Sequence, residues 1–171
     1  MKRTLRGSTL EEQLHLTNEL YKKQNLAIIQ KISTPITPVK FDKETKFITL
    51  AYFEKKSTVD FIGIVQGLPI CFDAKETTLK NFPLQNIHLH QIDFMEHFVK
   101  QGGLAFVLVH FVEYSEYFYL PFEELQFWWN KARNKGRKSI PYSAFNKELL
   151  IPAKGAYIDY LQVISKLANN G

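Results

Sequence analysis

Two aspartates and a lysine near the middle of the chain are the best candidates for catalytic residues. Asp60 lies in the apolar segment Val59 to Val65, and Asp73 and Lys75 lie in the apolar segment Ile70 to Lys75. A turn at Gln66-Gly67-Leu68-Pro69 between the two segments predicts a hairpin. Because side chains alternate along a strand, Asp73 and Lys75 point to the same face. The short turn is expected to bring Asp60 beside them on the partner arm.

Convergence of these three side chains favours metal-dependent hydrolysis of a phosphodiester. Two neighbouring carboxylates repel each other, and a divalent cation between them offsets that repulsion. Mg²⁺ suits such a site because it binds carboxylates and keeps several waters, and it can polarise a phosphoryl oxygen. Lys75 would orient the attacking water or stabilise the phosphorus centre. The residues alone also fit a cross-strand ion pair on a solvated surface, so both interpretations stay open.

The elements around this hairpin follow from hydrophobic periodicity and from capping residues. A hydroxyl at Ser8 or Thr9, with a carboxylate three residues later, predicts a helix that begins there and ends at about Gln24. Further strands are expected at Leu26 to Ile29, Leu104 to Phe111 and Tyr117 to Leu120. Further helices are expected at Gln85 to Gln101, from Pro121 through Trp128, and at Ile158 to Ala168. The sum is an α/β domain with a mixed central sheet flanked by helices.

Composition indicates one globular domain spanning residues 1–171. Hydrophobic residues make up 45% and charged residues 23% of the chain, and the net charge of +5 favours a polyanionic partner. The single cysteine, Cys71, excludes an intrachain disulfide or a multi-cysteine zinc site and is expected to be core filler. The basic start is not followed by an apolar stretch, and no segment has the length of a membrane span. We therefore expect a cytoplasmic protein without a membrane partner.

Five ordered segments that span nearly the whole chain resemble the RecU family of Holliday junction resolvases, within the PD-(D/E)xK nuclease superfamily. The segments are Gly7-Ser-Thr-Leu-Glu11, Ser57-Thr-Val-Asp60, Phe72-Asp-Ala-Lys-Glu-Thr77, Phe82-Pro-Leu-Gln-Asn86 and Gly136-Arg-Lys-Ser-Ile140. The resemblance implies a core like that of type II restriction endonucleases. It also implies a homodimer that makes symmetric nicks in four-way DNA junctions, with Mg²⁺ or with Mn²⁺ as a substitute, during homologous recombination and DNA repair.

The family's motifs, carried over residue by residue, imply a catalytic set in this chain. The implied metal ligands are Asp60, Asp73, Glu11 and the backbone carbonyl of Ala74. The implied catalytic residues are Lys75, Asp60, Asp73, Glu11 and Gln85. Gln85 falls where related nucleases place a glutamine that helps to hold the metal or phosphate. It fits equally well as an amide that satisfies backbone groups at a helix N-terminus.

Two basic regions are expected to contact DNA. Residues 36–56 resemble the family's protruding hairpin stalk, and the implied DNA contacts there are Lys43, Lys46, Phe53, Lys55 and Lys56. Without the resemblance, this segment would be interpreted as a charged, solvated hairpin. A second cluster is Arg133, Lys135, Arg137 and Lys138, with Gly136 allowing close backbone approach. Phosphate contact is expected there, because such charges supply much of the affinity for DNA.

The sequence departs from the family pattern at a few positions. Val59 stands where a hydroxyl residue precedes the first aspartate, and Asp73 replaces the usual glutamate. Tyr157 occupies a region where a basic residue is expected. These changes bear on substrate range and metal preference more than on the nuclease chemistry.

The preferred function is therefore a homodimeric junction resolvase that acts on branched DNA, with a recombinase as a further partner to be considered. Two alternatives stay open at this point. The same catalytic residues would serve a nuclease for other branched or linear DNA. A junction-binding or recombinase-modulating protein with little catalysis would keep the fold, although the presence of Asp60, Asp73 and Lys75 argues against it.

Overall fold

A computed structural model describes residues 9–53 and 58–169 as a central sheet with helices on both faces. The α-helices in these two ranges are α1 (Leu10–Lys23), α2 (Leu89–Lys100), α3 (Phe122–Arg133) and α4 (Tyr160–Asn169). The twelve strands are β1 (Ala27–Lys31), β2 (Ile36–Phe41), β3 (Ile48–Phe53), β4 (Phe61–Val65), β5 (Leu68–Thr77), β6 (Asn81–Pro83), β7 (Leu104–Phe111), β8 (Glu116–Pro121), β9 (Ser139–Pro141), β10 (Leu150–Ile151), β11 (Ala153–Lys154) and β12 (Tyr157–Ile158). Within the described ranges, no helix has the length and apolar composition that crossing a membrane requires.

The central sheet has six strands in the order β1-β4-β5-β7-β8-β10. Its β5 and β7 strands are parallel, and every other neighbouring pair is antiparallel. The chain between β5 and β7 contains α2, as a crossover between parallel strands requires. The predicted α/β architecture with a mixed sheet flanked by helices is thereby confirmed.

Each face of the sheet has its own hydrophobic core. On the first face, α1 and α4 pack on residues such as Phe72 and Phe106. On the second face, α2 and α3 pack on residues such as Cys71 and Val107. Because side chains alternate along β5, Asp73 shares the second face with Cys71 and therefore lies beneath α2.

The helix predicted at Gln85 to Gln101 is shorter in the structure and begins four residues later. Residues Leu84–Asn86 form a separate 3-10 turn, and α2 begins only at Leu89. Ile87 between them is extended, with φ −104° and ψ 138°, and its side chain is buried in the second core. Burial of this one side chain interrupts the helix, whereas Gly102, with φ 87°, ends it where the sequence predicts.

Other differences come from very short strands. The last helix begins at Tyr160 rather than Ile158, because Ile158 pairs with Ala153 in the β11–β12 hairpin. Strands β6 and β9 pair with each other and are only three residues long. Segments this short carry too little periodicity to be recognised in a sequence.

The predicted stalk is present as the β2–β3 hairpin. The two strands pair with each other with a register irregularity around Pro38 and Lys40, and neither packs extensively on another element. Large apolar side chains are nevertheless exposed along it: Ile36, Val39, Phe41, Phe47, Ile48, Leu50, Tyr52 and Phe53. Of the residues named above, Lys55, Lys56, Ser57 and the segment start Gly7-Ser8 lie outside the described residues.

Gly63 in β4 is a position where the fold leaves no room for a side chain. A Cβ atom there would lie 2.2 Å from the carbonyl oxygen of Ile28 and 2.6 Å from Cδ1 of Ile29. We expect Gly63→Ala to lower the free energy of unfolding by about 1–3 kcal/mol, because β1 would have to move away from β4. Urea unfolding monitored by circular dichroism measures this. Gln30→Ala, at an exposed position of β1, should change it by less than about 0.5 kcal/mol; equal midpoints for both variants would contradict the prediction.

Candidate active site

The β4–β5 hairpin places the carboxylates of Asp60 and Asp73 side by side. A two-residue turn, Gln66-Gly67, has positive φ at both positions (48° and 88°) and pairs Phe61 with Phe72 across the hairpin. The backbone N–H of Asp60 donates to Oδ1 of Asp73 over 2.8 Å. The N–H of Ala74 donates to Oδ2 of Asp60 over 2.9 Å. Each aspartate is thus held by the backbone of the opposite arm.

Lys75 extends this pair toward solvent. Its Nζ lies 2.9 Å from Oδ2 of Asp73. The Asp73 side chain is fully buried, whereas 21% of the Lys75 side chain is exposed. The structure therefore brings together the three residues that the sequence singles out, with the ammonium group on the solvent side of the carboxylates.

Gln91, in the first turn of α2, is a fourth member of the site that the sequence analysis missed. Its Nε2 group donates to Oδ2 of Asp73, and its Oε1 accepts from the backbone N–H of His88 over 3.0 Å. The side chain is buried, so both ends of the amide are used inside the protein. A glutamine three residues after a helix N-cap is a recognisable capping-box signal. It was not recognised at Gln91 because the predicted helix began at Gln85 and not at Leu89.

Gln85 is exposed in the 3-10 turn that precedes α2. Its role near the metal or phosphate stays a prediction, as does the coordination by the Ala74 carbonyl. The glutamine that contacts the Asp73 carboxylate in this structure is Gln91.

Burial gives the site unusual electrostatics. The pKa of Asp73 is raised to about 6, chiefly because the carboxyl is removed from solvent and secondly because of the charge of Asp60. The Lys75 ammonium acts in the opposite direction but does not cancel these effects. Burial, followed by the charge of Asp73, also raises the pKa of the Cys71 thiol to about 12. Cys71 therefore stays protonated at neutral pH and is not an activated nucleophile.

The donor set fits a divalent cation that prefers oxygen ligands. Two carboxylates lie together, and burial and the charge of Asp60 raise the pKa of Asp73, so a cation bound between them would offset an unfavourable negative charge. In residues 9–53 and 58–169, no third acidic, histidine or cysteine side chain joins them to complete a metal cluster. A metal held by two carboxylates would keep several waters, which suits Mg²⁺.

Glu11 lies in the first turn of α1, the helix that packs on the opposite face of the sheet. Its carboxylate forms an ion pair with Lys31 of β1, and both side chains are more than half exposed. Lys31 is paired in the sheet with Phe61, the residue after Asp60. Glu11 is thus connected to the Asp60 arm through β1, and its predicted role beside the metal stays a prediction.

The two predicted DNA-contacting regions are at the surface. Lys43 and Lys46 lie in the turn of the β2–β3 hairpin, and Phe53 at the end of β3 is 74% exposed. The exposed cluster Arg133, Lys135, Arg137 and Lys138 begins at the last residue of α3 and continues after it, and Lys135 adopts a φ of 62°. The carbonyl of Lys138 accepts from the N–H of Leu84 over 3.1 Å, which ties this cluster to the turn before α2.

The raised pKa of Asp73 predicts a pH dependence of stability in metal-free protein. The folded state holds this proton more tightly than the unfolded state, so the stabilisation is complete below about pH 4 and is lost as the pH rises through 6. The difference in unfolding free energy between wild type and Asp73→Asn should fall by roughly 2 kcal/mol from pH 4.5 to pH 7.5. Urea unfolding in EDTA at both pH values measures it, and a constant difference would contradict the predicted shift.

Comparison with known proteins finds similarity over almost the whole chain. Residues 5–166 match the family model described as "Recombination protein U". Proteins named Holliday junction resolvase RecU are 39% identical over 168 residues in Geobacillus sp. (strain WCH70) and 40% identical over 171 residues in Pediococcus pentosaceus. These matches cover 95% and 96% of this chain, and 84% and 85% of the relatives. The relative from Oceanobacillus iheyensis is 40% identical over 168 residues, which cover 95% of this chain and 86% of that one.

Among solved structures, the Holliday junction resolvase Hjc of Archaeoglobus fulgidus superimposes with a TM-score of 0.48 at 12% identity, over 81% of this chain and 91% of that chain. A similarity of that size adds nothing to the match in sequence. Because the family model spans almost the full length and the relatives keep about 40% identity along it, this protein belongs to the RecU family.

Proposed function

We propose that this protein is a Holliday junction resolvase, a metal-dependent endonuclease that makes symmetric nicks in four-way DNA junctions during homologous recombination and repair. The observation that carries the proposal is the contact of Asp60, Asp73, Lys75 and Gln91 at one point of the fold. The relatives named as Holliday junction resolvases supply the substrate class.

Asp60 and Asp73 would hold the metal, with Mg²⁺ as the natural ion and Mn²⁺ as a substitute. When bound, the ion supplies Lewis-acid polarisation of a phosphoryl oxygen and a water of lowered pKa. A bound ion would replace part of the contact that Lys75 and Gln91 make with Oδ2 of Asp73. The positions of both carboxylates are already fixed by backbone N–H groups. This rigidity is the contribution of the β4–β5 hairpin to the reaction.

Lys75 would act on the substrate side of the metal ligands. Its ammonium is anchored on the buried Asp73, while the partly exposed end of the side chain can meet an approaching phosphate. From there it can donate a hydrogen bond to the attacking water or to a phosphoryl oxygen, where negative charge increases in the transition state. Gln91 is a positioning residue, because it touches Asp73 rather than the reacting groups.

A homodimer is supported by the substrate and by the stalk. Two symmetric nicks in a four-way junction require two active sites related by a two-fold axis. An isolated two-stranded hairpin is marginally stable in water, yet the β2–β3 hairpin, including its turn, exposes eight large apolar side chains. Packing of one stalk against its copy would bury part of this surface and would hold two active sites in a fixed relation.

Basic side chains in two regions would bind the phosphates of the DNA. Lys43 and Lys46 in the stalk turn would meet phosphates near the centre of the junction, with Phe53 available to contact bases. The cluster after α3 lies close to the turn that precedes α2 and would hold the duplex arm that approaches Asp73. Because the substrate is the cell's own DNA, we infer a cytoplasmic location.

Cleavage of a labelled synthetic four-way junction beside linear duplex of the same sequence tests the proposal. In Mg²⁺ we expect paired, symmetric nicks in the junction and little cutting of the duplex. Asp73→Asn should reduce cleavage by more than about 100-fold, because a metal ligand worth several kcal/mol to the transition state is weakened. Asp93→Asn, at an exposed acid of α2, is the matched control and should cleave normally.

Any other result of this cleavage assay would indicate a different function or a different role for Asp73. Junction binding without cleavage by the wild-type protein would indicate a structural or modulating protein, and equal cutting of both substrates would indicate a general nuclease. Full cleavage by Asp73→Asn would contradict the assignment of Asp73 as a metal ligand.

The stalk assignment predicts a change in the salt dependence of binding. We expect the double change Lys43→Gln and Lys46→Gln to weaken junction binding in EDTA and to make the slope of log K against log salt less negative by about 2, since two phosphate contacts are lost. Fluorescence anisotropy over a series of KCl concentrations measures the slope. The charge-matched pair Lys22→Gln and Lys23→Gln, at the end of α1, should leave it unchanged. Equal slopes for both double variants would exclude the stalk contacts.

A further inference from the structure

A largely apolar cavity of about 440 Å³ lies between α3 and the chain that leads into α2. Leu79, Pro83 and Leu84 form its apolar side, and Trp129 of α3 lies opposite them. Arg133 and Lys138 stand at its border, and both side chains are exposed. Neither cation forms an ion pair with a side chain in the described part of the protein.

One buried polar group beside this cavity lacks a partner. The indole N–H of Trp129 is buried, and no group within residues 9–53 and 58–169 accepts a hydrogen bond from it. Buried donors in folded proteins are nearly always paired, so this unpaired donor is an unusual feature of α3. The exposed amide of Gln85 also borders the cavity and can both donate and accept.

The cavity lies on the active-site side of the sheet. Leu84 belongs to the same hydrophobic core as Cys71, which shares its strand face with Asp73. The N–H of Leu84 is bonded to the carbonyl of Lys138, so the apolar side and the basic border are fixed to each other. From Leu84 the chain runs directly into α2, whose Gln91 contacts Asp73.

We propose that this cavity receives one unstacked nucleobase of the junction DNA, while Arg133 and Lys138 hold the phosphates on either side of it. The inference rests on the proposed function and adds a subsite to it. Any of the four bases has a flat face that can stack on the Trp129 indole, and polar edges that suit the exposed amide of Gln85. The nucleotide that carries the base also lies between two phosphates, and the two cations at the border of the cavity can bind these phosphates.

Branch points favour this occupant over a base in continuous duplex. Stacking is interrupted where strands exchange, so a base there leaves the helix at lower cost. A base held beside the turn before α2 would fix the position of its strand relative to Asp60 and Asp73. The subsite therefore explains how the phosphodiester near the exchange point is presented to the metal ligands.

Abasic scanning of a synthetic four-way junction in EDTA tests the proposal through binding alone. Single tetrahydrofuran residues replace, one at a time, each nucleotide within five positions of the branch point. We expect one symmetry-related position to weaken binding of the wild-type protein by about 10-fold, the size expected for loss of one base–aromatic stack. In Ala132→Phe, whose ring fills the cavity, removal of that base should have no further effect. Asn130→Phe adds the same ring at an exposed position of α3 outside the cavity and should respond like wild type.

Leu79→Trp fills the cavity from the other side, at a position that is 53% exposed. This variant replaces Ala132→Phe in the abasic scan if Ala132→Phe does not unfold cooperatively on heating. An abasic penalty of equal size in wild type and in the filled variants would overturn the proposal, as would the absence of any sensitive position. Cleavage of the intact junction by the same wild-type preparation separates this failure from that of the proposed function. A protein that nicks the junction but shows no base-specific penalty is a resolvase without the subsite.

Discussion

The site depends on two hydrogen bonds across the hairpin: the N–H of Asp60 donates to the Asp73 carboxylate, and the N–H of Ala74 donates to the Asp60 carboxylate. Two carboxylates are held next to each other, although burial and the charge of Asp60 both disfavour the charged form of the fully buried Asp73. Four groups compensate in part: the backbone N–H groups of Asp60 and Ala74, the ammonium of Lys75 and the amide of Gln91. The β4–β5 hairpin supplies three of these groups and α2 supplies the fourth. Charge pairs of this kind, unfavourable for stability, cluster at functional sites, which agrees with the catalytic role that we propose.

Most of what surrounds this pair was predictable because it depends on local pattern. Alternation along β5 is a property of any strand, so Asp73 and Lys75 had to share a face, and the short turn at Gln66-Gly67 set the register that brings Asp60 opposite. The first helix was equally local, since Thr9 and Glu12 form the capping box that the sequence predicts. The stalk hairpin follows from two extended segments around a polar turn.

What the sequence could not give depends on contacts between distant residues. The start of α2 is set by burial of Ile87 in a core formed with residues from other elements. Because the predicted helix began at Gln85 instead, Gln91 was not recognised as a residue of the first turn. The position of Glu11 depends on which side chain of β1 faces it, and the structure pairs it with Lys31. The cavity beside Trp129 requires α3 and the chain before α2 to be brought together, and no single segment encodes that. Tertiary contacts thus determine the parts of the site that extend beyond the hairpin.

Direct observation of the metal would test this description of the site most clearly. Crystals soaked in Mn²⁺ and measured near the manganese absorption edge would locate the ion by its anomalous scattering. We expect a peak ligated by the carboxylates of Asp60 and Asp73 in the wild-type protein and no peak at that place in Asp73→Asn. A wild-type crystal with no anomalous peak between these carboxylates at millimolar Mn²⁺, or with a peak only elsewhere, would contradict the assignment of the pair as a metal centre.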